Sequence, residues 1–176
     1  MNKLHLMKIK SFKVLDKLGK IKYEEYNIKN ILHKQGEEFL LKSIFFDKTI
    51  IPENFYIGLD ARPGINTTDT LRQIVAEPSS NNYNRQMVQH GDWAVATDST
   101  GTFVAKSGTI IFSAISSTEV GWGPVLNIFL TTTNERCTPS SINCPGYLIS
   151  SARLSDSISL NSGESVVIEM SISLYN

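Results

Sequence analysis

The sequence predicts a mainly β protein, in which an antiparallel, jelly-roll-like β-sandwich follows a basic N-terminal arm and one α-helix. Three observations predict this class. After residue 50, apolar and polar residues alternate in short segments that turn-forming residues separate. Residues 28–46 have helical spacing instead, and lysine is concentrated before residue 49. We therefore divide the chain into an arm and helix over residues 1–48 and a sandwich body over residues 49–176.

The arm is expected to be basic and extended. Residues 1–48 hold eleven Lys and six acidic residues, whereas residues 49–176 hold six basic and eleven acidic residues. This asymmetry favours an arm that docks on an acidic surface, and a solvated N-terminus is the alternative. Alternating pieces predict edge strands or an extended arm over residues 1–27. The lysines that we assign to its interface are Lys8, Lys10 and Lys13.

A helix is expected after the arm, between Ile28 and Phe46. Apolar residues at positions 39, 40, 44 and 45 have helical spacing, and Glu38 and Lys42 form an i,i+4 pair. Asn27 is the candidate N-cap. Gly36 interrupts the pattern, which leaves open one helix with a weak point or two short turns.

Six strands are expected in the body. Phe55, Ile57 and Leu59 form one face of the first strand. The remaining strands are predicted over residues 83–90, 104–115, 126–130, 147–154 and 165–174. A helical turn is expected over residues 70–75, and a turn over residues 161–164 precedes the last strand.

A polar loop, residues 77–86, is expected to form a stiff corner of the sandwich. Pro78 restricts the backbone, and Asn81 and Asn82 tolerate left-handed conformations. Arg85 can reach a carboxylate such as that of Glu77 and fix the exit of the loop. The loop is also a candidate interface between protomers. The residues assigned to this structural or interface role are Glu77, Pro78, Tyr83, Arg85 and Trp122.

No catalytic or cofactor-binding set is expected. His5, His33 and His90 lie in three different predicted elements and are interpreted as surface or boundary residues. No nucleophile elbow, zinc-protease motif or phosphate-binding glycine-rich loop occurs. The acids at positions 60, 69, 77, 92 and 98 stand among turn-forming residues, so we prefer turn-shaping groups to a glycosidase pair. Nucleic acid is not an expected partner, because no arginine accompanies the lysines and the body is acidic.

Two cysteines, Cys137 and Cys144, stand in one loop. They close a small disulfide loop in oxidising conditions or remain thiols in a reducing cytosol, and both readings are open. No metal is expected, because structural zinc needs four ligands and no His is near. No membrane span is expected, and residues 1–22 lack the apolar core and cleavage site of a signal peptide.

Four motifs follow one another at characteristic spacing: Tyr56-Ile57-Gly58-Leu59, residues 77–86, Trp122-Gly123, and Leu160-Asn161-Ser162-Gly163-Glu164. As an ordered set over residues 20–175 they resemble a family of small tailed-bacteriophage virion structural proteins. Ser80 and Asn82 depart from that family, which usually has glycine at both positions. The loop between the cysteines is longer than the family pattern.

The resemblance implies a non-enzymatic β-sandwich in the virion, assembled in the host bacterial cytoplasm. The most specific expectation is a capsid decoration (cement) protein that binds and stabilises the assembled head. Its expected partners are the major capsid protein or neighbouring virion subunits, and a homo-oligomer is expected, with a trimer among the options. The alternatives are a tail, baseplate or fibre component and a glycan-binding host-recognition module.

Overall fold

Ten β-strands and one α-helix make up the part of the chain that the structure, a computed structural model, describes: residues 7–46, 51–118 and 121–173. The elements are β1 (Met7–Leu15), β2 (Ile21–Leu32), α1 (Lys34–Phe45), β3 (Asn54–Asp60), β4 (Gln86–Gln89), β5 (Trp93–Thr97), β6 (Phe103–Ser107), β7 (Ile110–Ser113), β8 (Val125–Thr131), β9 (Leu148–Ile158) and β10 (Ser165–Ile172).

The strands form one antiparallel sheet that is nearly closed into a barrel. Nine strands follow the path β4-β3-β8-β9-β2-β1-β10-β6-β5, and β7 pairs with β10 beside β6. At one end of the path, β4 approaches β7, so that eight strands surround a common core. The hairpin β5–β6 continues from the end of β10 beyond this barrel. The predicted mainly antiparallel β class is confirmed.

The expectation of edge strands or an arm near the N-terminus is wrong for the described residues. β1 pairs with β10 on one side and β2 on the other, so it lies inside the sheet. Ile9 and Phe12 both point into the core, although strict alternation would place residues three apart on opposite faces of the strand. An irregularity in the register between Ile9 and Ser11 allows both residues to face inward. The boundary expected at residues 48 and 49 lies outside the described residues.

A single helix follows β2, but it begins later than the sequence predicted. The strand β2 extends to Leu32, so Asn27 lies inside a strand and does not cap the helix. The side chain of Gly36 is only a hydrogen, which lets α1 lie directly on β9; an added Cβ would collide with the Ile149 carbonyl oxygen. Glu38 and Lys42 form the expected pair at 2.5 Å.

The body strands agree with the predicted pattern but differ from it in extent, and β9 continues to Ile158, beyond the predicted end at residue 154. The predicted strand 83–90 is limited to β4, and the segment 104–115 is divided at Gly108 into β6 and β7. The strand β5 was not predicted. In β7, Ile110 and Phe112 are buried and Ile111 is exposed, as expected from the alternation. A short 3₁₀ turn at Leu71–Gln73 confirms the predicted helical turn.

Two apolar clusters stabilise this fold. The larger one fills the barrel with inward residues of β1, β3, β8, β9 and β10, among them Phe12, Ile57 and Ile168. The smaller one lies around Phe129 and Leu148, where Leu71, Ile74 and Cys137 pack against them. The loops before β4 and before β9 are therefore anchored to the sheet by packing.

Candidate functional site

The loop over residues 77–86 is fixed by a buried ion pair. Arg85 donates from Nε to Glu77 Oε2 at 3.0 Å and from Nη2 to Glu77 Oε1 at 2.7 Å. Arg85 Nη1 donates to the carbonyl oxygens of Thr133 and Glu135. The predicted Arg85–Glu77 contact is thus confirmed, and it also connects the loop to the segment that follows β8.

Tyr83 joins the same network to β3. Its hydroxyl accepts a hydrogen bond from the Leu59 backbone N–H at 2.7 Å and lies 3.2 Å from Glu77 Oε2. Its ring stacks on Phe112 and meets Trp122 edge to face. Burial, and next the nearby Glu77 charge, raise the pKa of Tyr83 well above its ordinary value. Tyr83 is therefore a neutral anchor of the loop.

The predicted backbone of the loop is also confirmed. Asn81 has φ of 56° and Asn82 has φ of 65°, both in the left-handed region. The Asn81 side-chain amide donates to the Gly121 carbonyl oxygen, which brings the loop against the segment before β8. Pro78 accepts a hydrogen bond from Arg136 at its carbonyl oxygen.

These contacts create a groove of about 530 Å³ at one end of the barrel. Three segments that are far apart in sequence form its walls: residues 76–81, residues 121–124 and residues 159–161. Three of the four motifs noted in the sequence contribute residues to these walls, and Ala61, the residue after β3, also lines the groove. Trp122 is buried in one wall. The lining combines the side chains of Ser and Asn residues with those of Ala, Pro, Leu and Trp residues.

A second, apolar cavity of about 310 Å³ lies at the opposite ends of β3 and β8. Phe39 and Leu40 of α1 form one wall, and Trp93 and Ala105 of the β5–β6 hairpin form another. Phe39 meets the ring of Phe55 edge to face at 6.1 Å. The residues that complete the lining are His90, Leu130, Ile149 and Ile172. Sequence reasoning missed this cavity because its walls come from elements that only the topology brings together.

Two of the three histidines, His33 and His90, lie in the described part of the chain, and they differ in burial. His33 is fully buried, so its interpretation as a surface or boundary residue was wrong, and its Nε2 lies 2.9 Å from Ser151 Oγ. Burial lowers the pKa of His33 to about 4, so the ring is neutral near pH 7. This pair joins the start of α1 to β9 and lines neither cavity. His90 is exposed, and His5 lies outside the described residues.

The acids considered for catalysis take part in local hydrogen bonds, as the turn interpretation expected. Asp98 accepts from the backbone of Thr100 and Thr102, and Asp92 accepts from the Gln89 N–H. Hydrogen bonds from Thr100 and Thr102 lower the pKa of Asp98. Asp60 is buried and accepts from Arg62 Nε at 3.2 Å. Within residues 7–46, 51–118 and 121–173, no group of three or more His, Cys, Asp or Glu is placed to hold a metal ion.

Cys137 and Cys144 form a disulfide, with their Cα atoms 5.6 Å apart. Of the two readings left open by the sequence, this structure contains the bonded one. Cys137 is buried against the Phe129 cluster, so the bond closes a loop that is already packed on the sheet.

Lys8, Lys10 and Lys13 lie on the outer face of β1 and are joined there by Lys29 of β2. Lys8 is directly opposite Lys29 in the register, and both are exposed. Lys10 lies 3.5 Å from Glu169, and Lys13 lies over the ring of Tyr26. We call Lys8, Lys10, Lys13 and Lys29 the basic face. None of the four belongs to the groove walls.

Comparisons of the chain with protein-family models, curated proteins and solved structures found no match. Among the described residues, no helix has the length and apolarity needed to cross a membrane.

Proposed function

We propose that this chain is a non-enzymatic structural protein of a tailed-phage virion, a capsid decoration protein that binds and stabilises the assembled head. The major capsid protein or a neighbouring virion subunit is its partner. A protein that binds only the assembled shell stabilises it by mass action. In this proposal the nearly closed barrel is flattened into a jelly-roll-like sandwich. The strand β2 belongs to both layers of that sandwich, because it pairs with β1 along most of its length and with β9 at its end.

One observation carries the proposal: motifs that resemble the virion family meet around a single groove. Residues 76–81, 121–124 and 159–161 are separated by long stretches of sequence, yet they share its walls. The Glu77–Arg85 pair and the Tyr83 hydroxyl hold one wall rigidly. A preformed surface of this kind loses little conformational entropy when a partner binds, which favours protein docking.

The basic face supports an acidic partner. Lys8 and Lys29 are adjacent like charges with exposed side chains, an arrangement that disfavours the isolated protomer. A carboxylate-rich surface of the shell would relieve this repulsion. The lysines that the sequence assigned to an arm therefore lie on the outside of the barrel, where they can dock on an acidic surface.

Copy number in purified particles tests the location. Quantitative gel densitometry against the major capsid protein should give hundreds of copies per particle for a head decoration protein. A count from a handful to some tens would favour a tail, baseplate or fibre component. Absence from purified particles would overturn the virion proposal.

A charge-reversal pair tests the docking face. Lys8→Glu with Lys29→Glu should reduce incorporation by about tenfold or more, because it reverses the charge of two of the four lysines of the basic face. Lys34→Glu with Lys106→Glu changes the net charge equally at two other exposed positions and should incorporate normally. Equal incorporation of the two double variants would contradict a role for the basic face.

A further inference from the structure

Among the described strands, β5 has an open edge. Among the described strands, β1, β2, β3, β8, β9 and β10 pair on both sides, and β6 lies between β5 and β10. At the seam of the barrel, β4 and β7 face each other. β5 pairs only with β6, so its second edge has no neighbouring strand. An open edge presents a row of backbone groups that can pair with another chain.

The direction of those groups follows from the hydrogen bonds that flank the hairpin. Gly108 N donates to Asp92 O, and Asp98 N donates to Thr102 O, so even-numbered residues of β5 bond to β6. In an antiparallel ladder the alternate residues point their N–H and C=O groups the other way. Val95 and Thr97 therefore present both of their backbone groups at the open edge, whereas Trp93 presents its carbonyl oxygen only, because its N–H already donates to the His90 carbonyl oxygen.

Within β5 itself, two features by which proteins usually protect an edge are absent. The sequence of β5 is Trp-Ala-Val-Ala-Thr, with no charge and no proline. The side chain of Val95 is 74% exposed, and that of Phe103 on β6 is 73% exposed. In the register Val95 pairs with Ala105 and Thr97 with Phe103, so both exposed apolar side chains lie on one face of the hairpin.

We propose that a second copy of this chain binds here, by antiparallel pairing of β5 with β5 about a twofold axis through Val95. In that register Val95 lies opposite Val95 of the second copy, and Trp93 lies opposite Thr97. The residues whose backbone groups point outward are then the ones that bond, giving up to about four hydrogen bonds, because the Trp93 N–H is already used within each copy. The two apolar faces join on the same side of the extended sheet.

The symmetry of this contact fixes the assembly as a dimer. A twofold interface uses the same patch on both copies and closes at two subunits, so it does not generate a trimer. Beyond the ladder, Asp92 of one copy lies opposite Asp98 of the other, and these like charges repel. Salt screens such repulsion, so association strengthens with ionic strength. The inference depends on the edge of β5 alone and stands whether or not the proposed virion function holds.

Sedimentation velocity of the full chain tests the proposal. We expect a reversible dimer with a dissociation constant below about 200 µM, because the interface is small. Val95→Pro removes only an outward-facing N–H, so the protomer keeps its β5–β6 bonds but loses the central pairing. Val95→Lys places a charge at the twofold axis. Each variant should weaken association at least tenfold. Ile142→Lys changes an aliphatic side chain that is 89% exposed elsewhere and should dimerise normally.

A crosslink gives a positive signal that does not depend on lost binding. Directly opposed residues in a hydrogen-bonded antiparallel pair have Cα atoms about 5.5 Å apart, which suits a disulfide. Val95→Cys should therefore form a covalent dimer under mild oxidation, whereas Ile142→Cys should not. A wild-type chain that stays monomeric at about 200 µM, or equal crosslinking of both cysteine variants, would overturn the proposal.

Discussion

Arg85 and Glu77 form a two-pronged ion pair inside the protein, with contacts of 3.0 and 2.7 Å. Their side chains are 1% and 3% exposed, and the third guanidinium nitrogen is occupied by two carbonyl oxygens. Such a pair is strongly coupled to the fold, because loss of either partner leaves the other charge buried and unpaired.

Arg85→Lys is therefore expected to destabilise the protein despite keeping the charge. A lysine cannot satisfy both carboxylate oxygens and the two carbonyl oxygens together. We expect a loss of about 3 kcal/mol in the free energy of unfolding, measured from urea titrations. Lys42→Gln, which removes the exposed Glu38–Lys42 pair, should cost less than about 0.5 kcal/mol. Equal urea midpoints for the two variants would contradict the structural role of Arg85.

Gly36→Ala is expected to destabilise the protein although alanine favours helices. The added methyl group would collide with the Ile149 carbonyl oxygen, which belongs to the backbone of β9 and has little freedom to move. Overpacking of this kind costs about 1–3 kcal/mol, more than the helix propensity gained. Gly64→Ala serves as the control, because its Cβ would meet open space. The measurement is the thermal midpoint, and a stabilised Gly36→Ala variant would show that α1 does not lie this close.

Stability is expected to fall in mildly acidic solution because of His33. Its pKa is about 4 in the folded protein, against an ordinary 6.5, so the unfolded chain binds the extra proton first. The stability that depends on neutral His33 is complete above pH 6.5 and is lost as the pH falls towards 4. The free energy of unfolding decreases over this range by at most roughly 3 kcal/mol. His33→Gln removes this titration while retaining a polar group for Ser151. Its unfolding free energy, measured by urea titration at a series of pH values, should vary less over that window than the wild-type value.

Reduction of the Cys137–Cys144 bond is expected to lower the thermal midpoint without unfolding the barrel. The bond closes a short loop, and its loss corresponds to about 2 kcal/mol in the chain-entropy description. Differential scanning calorimetry with and without a phosphine reductant measures the change. The Cys137→Ala, Cys144→Ala double variant should be insensitive to the reductant. Two free thiols in the untreated native protein would contradict the bonded form.

Alternation along the chain was sufficient to predict the β class and most strands. Ile57 and Leu59 face the core as expected, and the alternate residues Ile168 and Met170 of β10 are buried as well. β5 escaped prediction because two of its five residues are alanine and Val95 is exposed, so it lacks the buried alternation of a core strand.

The position of β1 could not be predicted from its composition. Lys8 and Lys10 suggested a protected edge, but residues on the outer face of an interior strand meet the same solvent. Strand order depends on pairings between distant segments, which local patterns do not encode. The same reason explains the candidate site: the Glu77–Arg85 contact spans eight residues and was predicted, whereas the groove needs three remote segments and was not.

The place of β1 also constrains how the protein is made. One edge of β1 stays unpaired until residues 165–172 of β10 have been synthesised. The other edge can pair with β2 early, because β2 follows β1 directly in the sequence. During synthesis the nascent chain therefore holds β1 and β2 as a hairpin whose two outer edges stay unpaired until β9 and β10 are made, and such a hairpin can mispair with other nascent chains. We expect slow folding, set by this last closure, and a yield that improves when expression is slowed.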